Sequence, residues 1–147
     1  MKRRTDPVLR ALVSITEESQ IEMSITLHVS GTAIGGELTT QKQFAQGVAE
    51  LMDRAKYGIK EPHAAELREK MREYFRGQFT GLAELSETIR VEHLEADNML
   101  EWSDEVEFVH LRNAIIVSAH PARTLGWWRC RLESVDAFNI GCWRPEP

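Results

Sequence analysis

Two cysteines in 147 residues, Cys130 and Cys142, are too few for a disulfide framework and are expected as thiols in a reducing compartment. No apolar run approaches the roughly 18 residues that span a bilayer, so no membrane segment is expected. The basic start, Met1-Lys2-Arg3-Arg4, runs into Arg10 and Glu17-Glu18 without a small-residue cleavage site, which points to a cytoplasmic chain. Phosphate-loop, His-Glu-x-x-His, Cys-x-x-Cys and Gly-x-Ser-x-Gly patterns are all missing. His28, His63, His93, His110 and His120 share no metal-ligand spacing with one another or with the cysteines. The residues therefore assign no catalytic group, no cofactor and no metal.

What is present is an ordinary globular composition, 42% apolar and 28% charged, at a length that suits one domain over residues 1–147. The net charge of -5 is unevenly spread. Residues 61–107 carry 13 acidic against 5 basic side chains, and the remainder carries 10 against 13. An acidic middle between mildly basic ends argues against a protein that neutralises many phosphates.

Periodicity divides the chain into four parts. Asp6-Pro7 caps a helix over about 6–18, with Val8, Leu9, Leu12, Val13 and Ile15 at helical spacing. Strict alternation from Ile21 to Val29, the Ser30-Gly31 turn and a return to Thr40 predict a hairpin over 21–40. Gly35-Gly36 predicts a bulge or bend in its second strand. A helical and acidic insertion, 41–105, holds one helix capped by Thr40 and Gln43 and ending near Gly58. A second runs over about 63–79, and 82–104 fits helix or strand and loop equally. C-terminal strands fill 106–144, ending in a hairpin around Val135-Asp136-Ala137.

The fold class is α+β: an N-terminal helix and about five antiparallel strands, with the helical insertion between strands 2 and 3. A small Sm-like or SH3-like barrel and an open sheet packed by helices both use these elements.

Residues with chemistry to offer are few. His28 and His110 lie on predicted strands and would make a proton-shuttling or metal-holding pair only if they met across a sheet; the favoured reading is that each is a surface or edge residue. Glu37 beside the glycines reads as a solvated strand residue, and the cysteines as small hydrophobes on neighbouring strands. The last strands interleave aromatics with arginine. Strand alternation sends Trp128, Cys130 and Leu132 to the core, and Trp127, Arg129 and Arg131 to the other face. With Trp143 and Arg144 these three form a candidate interaction patch, of the aromatic and arginine type enriched at protein interfaces. Burial of all four tryptophans in the core is the plainer alternative. An Sm-like nucleic-acid-binding barrel, with bases stacked on this hairpin, is another.

Three blocks resemble the gas vesicle accessory protein U family: Ile25-x-Leu27-x-Val29-x-Gly31-x-x-Ile34-x-Gly36 with Phe44 beyond it; Phe108-Val109-His110-Leu111-Arg112-Asn113; and Trp128-Arg129-x-Arg131-Leu132-x-x-Val135-Asp136-x-Phe138-x-Ile140-Gly141. They occur in the family's order, whereas residues 53–105 show no match. The resemblance implies a non-enzymatic, cytoplasmic accessory protein without cofactors, associated with gas vesicles. These hollow protein shells give bacteria buoyancy. Its implied partners are the vesicle shell, other gas vesicle proteins and further copies of itself in a homo-oligomer, and its implied task is vesicle assembly or clustering.

Overall fold

The computed structural model describes residues 4–54, 64–96 and 106–142. Helix α1 (Pro7–Ser19) is followed by β1 (Ser24–Val29), β2 (Thr32–Thr39), α2 (Gln41–Arg54), α3 (Ala64–Ala96), β3 (Phe108–Ile116), β4 (Arg123–Arg131), a single 3-10 turn (Leu132–Ser134) and β5 (Ala137–Ile140). The strands form one antiparallel sheet in the order β4-β3-β2-β1-β5. The class is α+β with helices inserted between the second and third strands. The sheet is open, with β4 and β5 as its two edges, so the open-sheet arrangement holds.

Local chemistry explains the first three elements. The Asp6 carboxylate accepts from the N–H groups of Val8 (2.8 Å) and Leu9 (3.2 Å), and Pro7 fits the first turn, where no N–H is needed. Gln20 ends α1 in the left-handed region (φ 56°). Ser30 (φ 49°) and Gly31 (φ 81°) form a two-residue hairpin loop with both central φ values positive, the twist that suits flanking strands. The Ser30 N–H is held by the Asp136 carboxylate at 2.9 Å.

The irregularity expected at the glycines of β2 falls there, between Gly35 and Glu37, and the glycines also permit close approach. β1 and β2 pair without a break through Gly35 and Gly36, and the irregularity lies between β2 and β3. The extra residue is Asn113 on β3, with φ 49°. A Cβ on Gly36 would stand 3.1 Å from the Arg112 carbonyl oxygen and 3.2 Å from the Ala114 Cα. At Gly35 it would collide with the Cys142 Sγ.

Two expectations for the later chain are corrected. The helix expected over about 63–79 runs further: α3 continues through Gly77 and Gly81 for 33 residues to Ala96, and the rest of the ambiguous segment, 97–104, lies outside the described residues. Two glycines cost a helix about 1 kcal/mol each, too little to end one of this length. The last hairpin does not form either. Leu132 turns into the core, the 3-10 turn redirects the chain, and β5 crosses to pair with β1, Leu27 facing Phe138 and Ile25 facing Ile140. A turn without a glycine or asparagine signal could not close β4 onto β5, while the Asp136 N–H bonds the His28 carbonyl at 2.8 Å and fixes the crossover. Cys130 and Cys142 therefore follow opposite edges of the sheet. The expected end of α2 at Gly58 lies outside the described residues.

One face of the sheet carries the aliphatic core. Leu9 and Val13 of α1 pack on Ile25, Leu27, Ile34, Leu38, Val109 and Leu111, with Trp128, Cys130 and Phe138 at the margin. Helix α2 lies against the other face at the β3–β4 end, and α3 packs chiefly on α2.

Candidate interaction surface

Alternation along β3 and β4 builds the second face. Val109 and Leu111 enter the core, so Phe108, His110 and Arg112 point the other way. Trp128 and Cys130 border the core, so Trp127, Arg129 and Arg131 share the second face. Register places His110 beside Arg129 and Phe108 beside Arg131.

The α2 helix supplies the contacting surface. The Thr40 Oγ1 caps the Gln43 N–H at 3.0 Å, while the Gln43 side chain accepts from the Thr39 hydroxyl at 2.7 Å instead of reaching back to Thr40. That start directs Phe44 onto the sheet, 4.9 Å from the His110 ring and edge-on to Trp127 at 6.3 Å. One turn on, the Trp127 indole lies on Gly47, where a Cβ would overlap the ring. The Arg129 guanidinium sits 4.3 Å from the Phe108 ring centroid and 5.9 Å from that of Phe44. Arg131 is 67% exposed and reaches Glu133 at 3.5 Å.

Trp127, Arg129 and Arg131 thus lie together on an edge strand. Trp127 is half-buried with its indole on α2; the arginine heads are exposed above it. Trp143 and Arg144 lie outside the described residues. Spacing within β4 identifies the three residues, but nothing in it announces Phe44, Gly47 or Phe108, which come from distant segments and complete the stack.

The histidines do not meet. His28 faces Ala33 of β2, and His110 faces Thr39, six residues further along, or about 20 Å at strand rise. His28 Nε2 lies 3.1 Å from the Asn139 Oδ1 on β5. His110 is 2% exposed, and neither ring nitrogen has a hydrogen-bond partner among the described residues. Burial, and then the charge of Arg129, lowers its pKa to about 3, so it is neutral at physiological pH. Its nearest acid, Glu17 at the end of α1, is 3.9 Å away and accepts from the Gln41 N–H at 2.8 Å. Burial raises Glu17 to about 7, the backbone hydrogen bond acting the other way. Burial pushes the Cys130 thiol up to about 11, which disfavours its thiolate at neutral pH.

Glu37 is not a solitary carboxylate. Arg112 lies between it (Nε to Oε2, 2.8 Å) and Glu22 (Nη2 to Oε1, 2.6 Å), and these bonds raise the arginine pKa further. The described residues contain no group of three or more His, Cys, Asp or Glu able to hold a metal, and no helix among them is long and apolar enough to cross a membrane.

A family model, gas vesicle protein GvpU-like, matches residues 6–143, from the cap of α1 to just past β5. The chain belongs to the GvpU-like gas vesicle protein family. Searches of curated proteins and of solved structures return no match. The GvpU-like match spans the helical insertion as well as both strand regions, so the segment between Asp53 and Glu105, where the residues alone show no resemblance, falls within the family's extent.

Proposed function

We propose that the protein is a non-enzymatic accessory factor of gas vesicles, acting in the cytoplasm in vesicle assembly or clustering through protein–protein contacts and association of its own copies. The observation that carries this reading is the family match over residues 6–143. The surface offered for contact with a vesicle component is the Trp127, Arg129 and Arg131 face. Its support is physical. The Phe108, Phe44 and Trp127 rings hold the Arg129 head at the surface with little freedom left to lose on binding, a property of efficient contact residues, and Arg131 stands exposed beside it.

The same stack disfavours base stacking and the nucleic-acid reading. Trp127 is already laid on Gly47, and Phe44 is enclosed by His110, Trp127 and Arg129.

Flotation tests the proposal. Purified protein mixed with isolated gas vesicles is centrifuged, and the buoyant layer is assayed. The protein is expected in that layer, with recovery reduced severalfold by Arg129→Glu/Arg131→Glu, whose side chains are exposed. Recovery wholly in the subnatant defeats direct vesicle binding, and undiminished flotation of the double variant moves the contact off this face.

A further inference from the structure

The helical insertion leaves a surface that nothing among the described residues covers. At 1.5 Å per residue α3 is ~50 Å long and outruns the 14-residue α2 by ~28 Å. Met71, Phe75 and Phe79 are half-buried, whereas Leu67 (45%), Tyr74 (63%) and Leu85 (56%) are exposed. At 3.6 residues per turn, Leu67, Tyr74 and Leu85 fall within about 20° of one line along the helix, an apolar seam on the open side. Gly77 and Gly81 lie beside that seam one turn apart, and a Cβ at either would meet nothing within 4 Å. They flank the middle of α3, where a second helix could approach to backbone distance.

Charge identifies the occupant. Residues 64–80 carry four basic and three acidic side chains, and residues 81–96 carry one basic and four acidic. A helix slightly positive in its first half and clearly negative in its second complements a copy of itself running the opposite way, and repels one running parallel.

We propose that two copies of the chain pair through α3, antiparallel, along the Leu67–Tyr74–Leu85 seam, with Gly77 and Gly81 at the crossing. The proposal rests on the self-association in the reading above and names its surface, which is separate from the Trp127 face. The two-fold axis then passes close to Gly77, so that Leu67 of one copy meets Leu85 of the other.

Sedimentation equilibrium of the full chain tests this. The expected species is a dimer, twice the 16.8 kDa chain mass. Gly77→Leu/Gly81→Leu fills space that is open in one copy, so helical content by circular dichroism is expected to hold or rise while the dimer dissociation constant weakens at least tenfold. Lys70→Glu is expected to weaken pairing, and adding Glu84→Lys in the same chain to restore it, which only an antiparallel arrangement allows. A monomeric wild type, an unchanged dissociation constant in the glycine variant, or charge swaps that do not restore pairing would each overturn the proposal. Flotation with vesicles is read separately. A monomer that still floats overturns the α3 pairing alone, and a dimer that does not float overturns vesicle contact alone.

Discussion

Along β3, one strand supplies two opposite surfaces, and they have been covered in different ways. On the α1 side Leu9, Val13, Leu27, Val109 and Leu111 are all within 2% of complete burial, and the packing is aliphatic throughout. On the α2 side the same strand presents Phe108, His110 and Arg112, and what meets them is the Phe44 ring, the Arg129 guanidinium and the half-buried carboxylates of Glu17 and Glu37. The first arrangement gains from area removed from water. The second holds polar and charged groups in fixed places at some cost in desolvation. One face makes the domain stable, and the other gives it a surface with distinct chemistry.

Three substitutions test that division. Leu111→Ala empties fully buried space on the aliphatic face and is expected to cost about 2–5 kcal/mol by urea unfolding. A loss well under 1 kcal/mol would mean that the α1 side is not the main source of stability.

Protons probe the other face. Glu17 is raised to about 7 in the fold from an ordinary value of 4.5, so the folded state holds its proton where the unfolded chain releases it, and stability falls as pH rises from about 4.5 to 7. His110, lowered to about 3 from 6.5, has the opposite effect: stability rises as pH climbs from about 3 to 6.5. The two slopes oppose each other over about pH 4.5–6.5, where the wild type is expected to be nearly flat. Glu17→Gln keeps an acceptor for the Gln41 N–H and removes the falling limb. It is expected to stabilise the protein by up to about 3 kcal/mol above pH 7 and to leave it unchanged below about pH 4.5. Equal stability of the two proteins at pH 8 would contradict a buried carboxylate that resists ionisation.

The smallest effect is the most specific. Gly→Ala inside a helix ordinarily stabilises by about 1 kcal/mol. At Gly47 the new methyl would overlap Trp127, and a net loss of about 1 kcal/mol is expected instead. The sign should revert in a Trp127→Ala background, since the obstruction is then gone. A double-mutant cycle with no coupling would place Trp127 away from α2.

What the sequence made legible follows physical range. The α1 cap and the first hairpin rest on contacts within a few residues, and Asp6-Pro7 and Ser30-Gly31 announce them. Alternation alone separated Trp128, Cys130 and Leu132 from Trp127, Arg129 and Arg131, because strand parity is a local property. The mate of β5 was hidden because no local signal says that Leu27 will face Phe138, more than a hundred positions on. α3 looked broken because Gly77 and Gly81 lower helix propensity locally, whereas its continuation depends on the whole segment. Of the candidate patch, the β4 residues were visible, but the rings beneath them were not, since Phe44 and Phe108 reach it only through the tertiary fold.

The pairing of β5 with β1 also bears on how the protein is made. The hairpin of β1 and β2 is synthesised early, yet one side of β1 stays unpaired until Ile140 has left the ribosome. Through most of translation the nascent chain displays Ile25 and Leu27 on an open strand edge, the kind of edge that recruits a strand from another chain. The four residues of β5 close that window, and a chain cut short before them would stick to its neighbours rather than simply lack a strand.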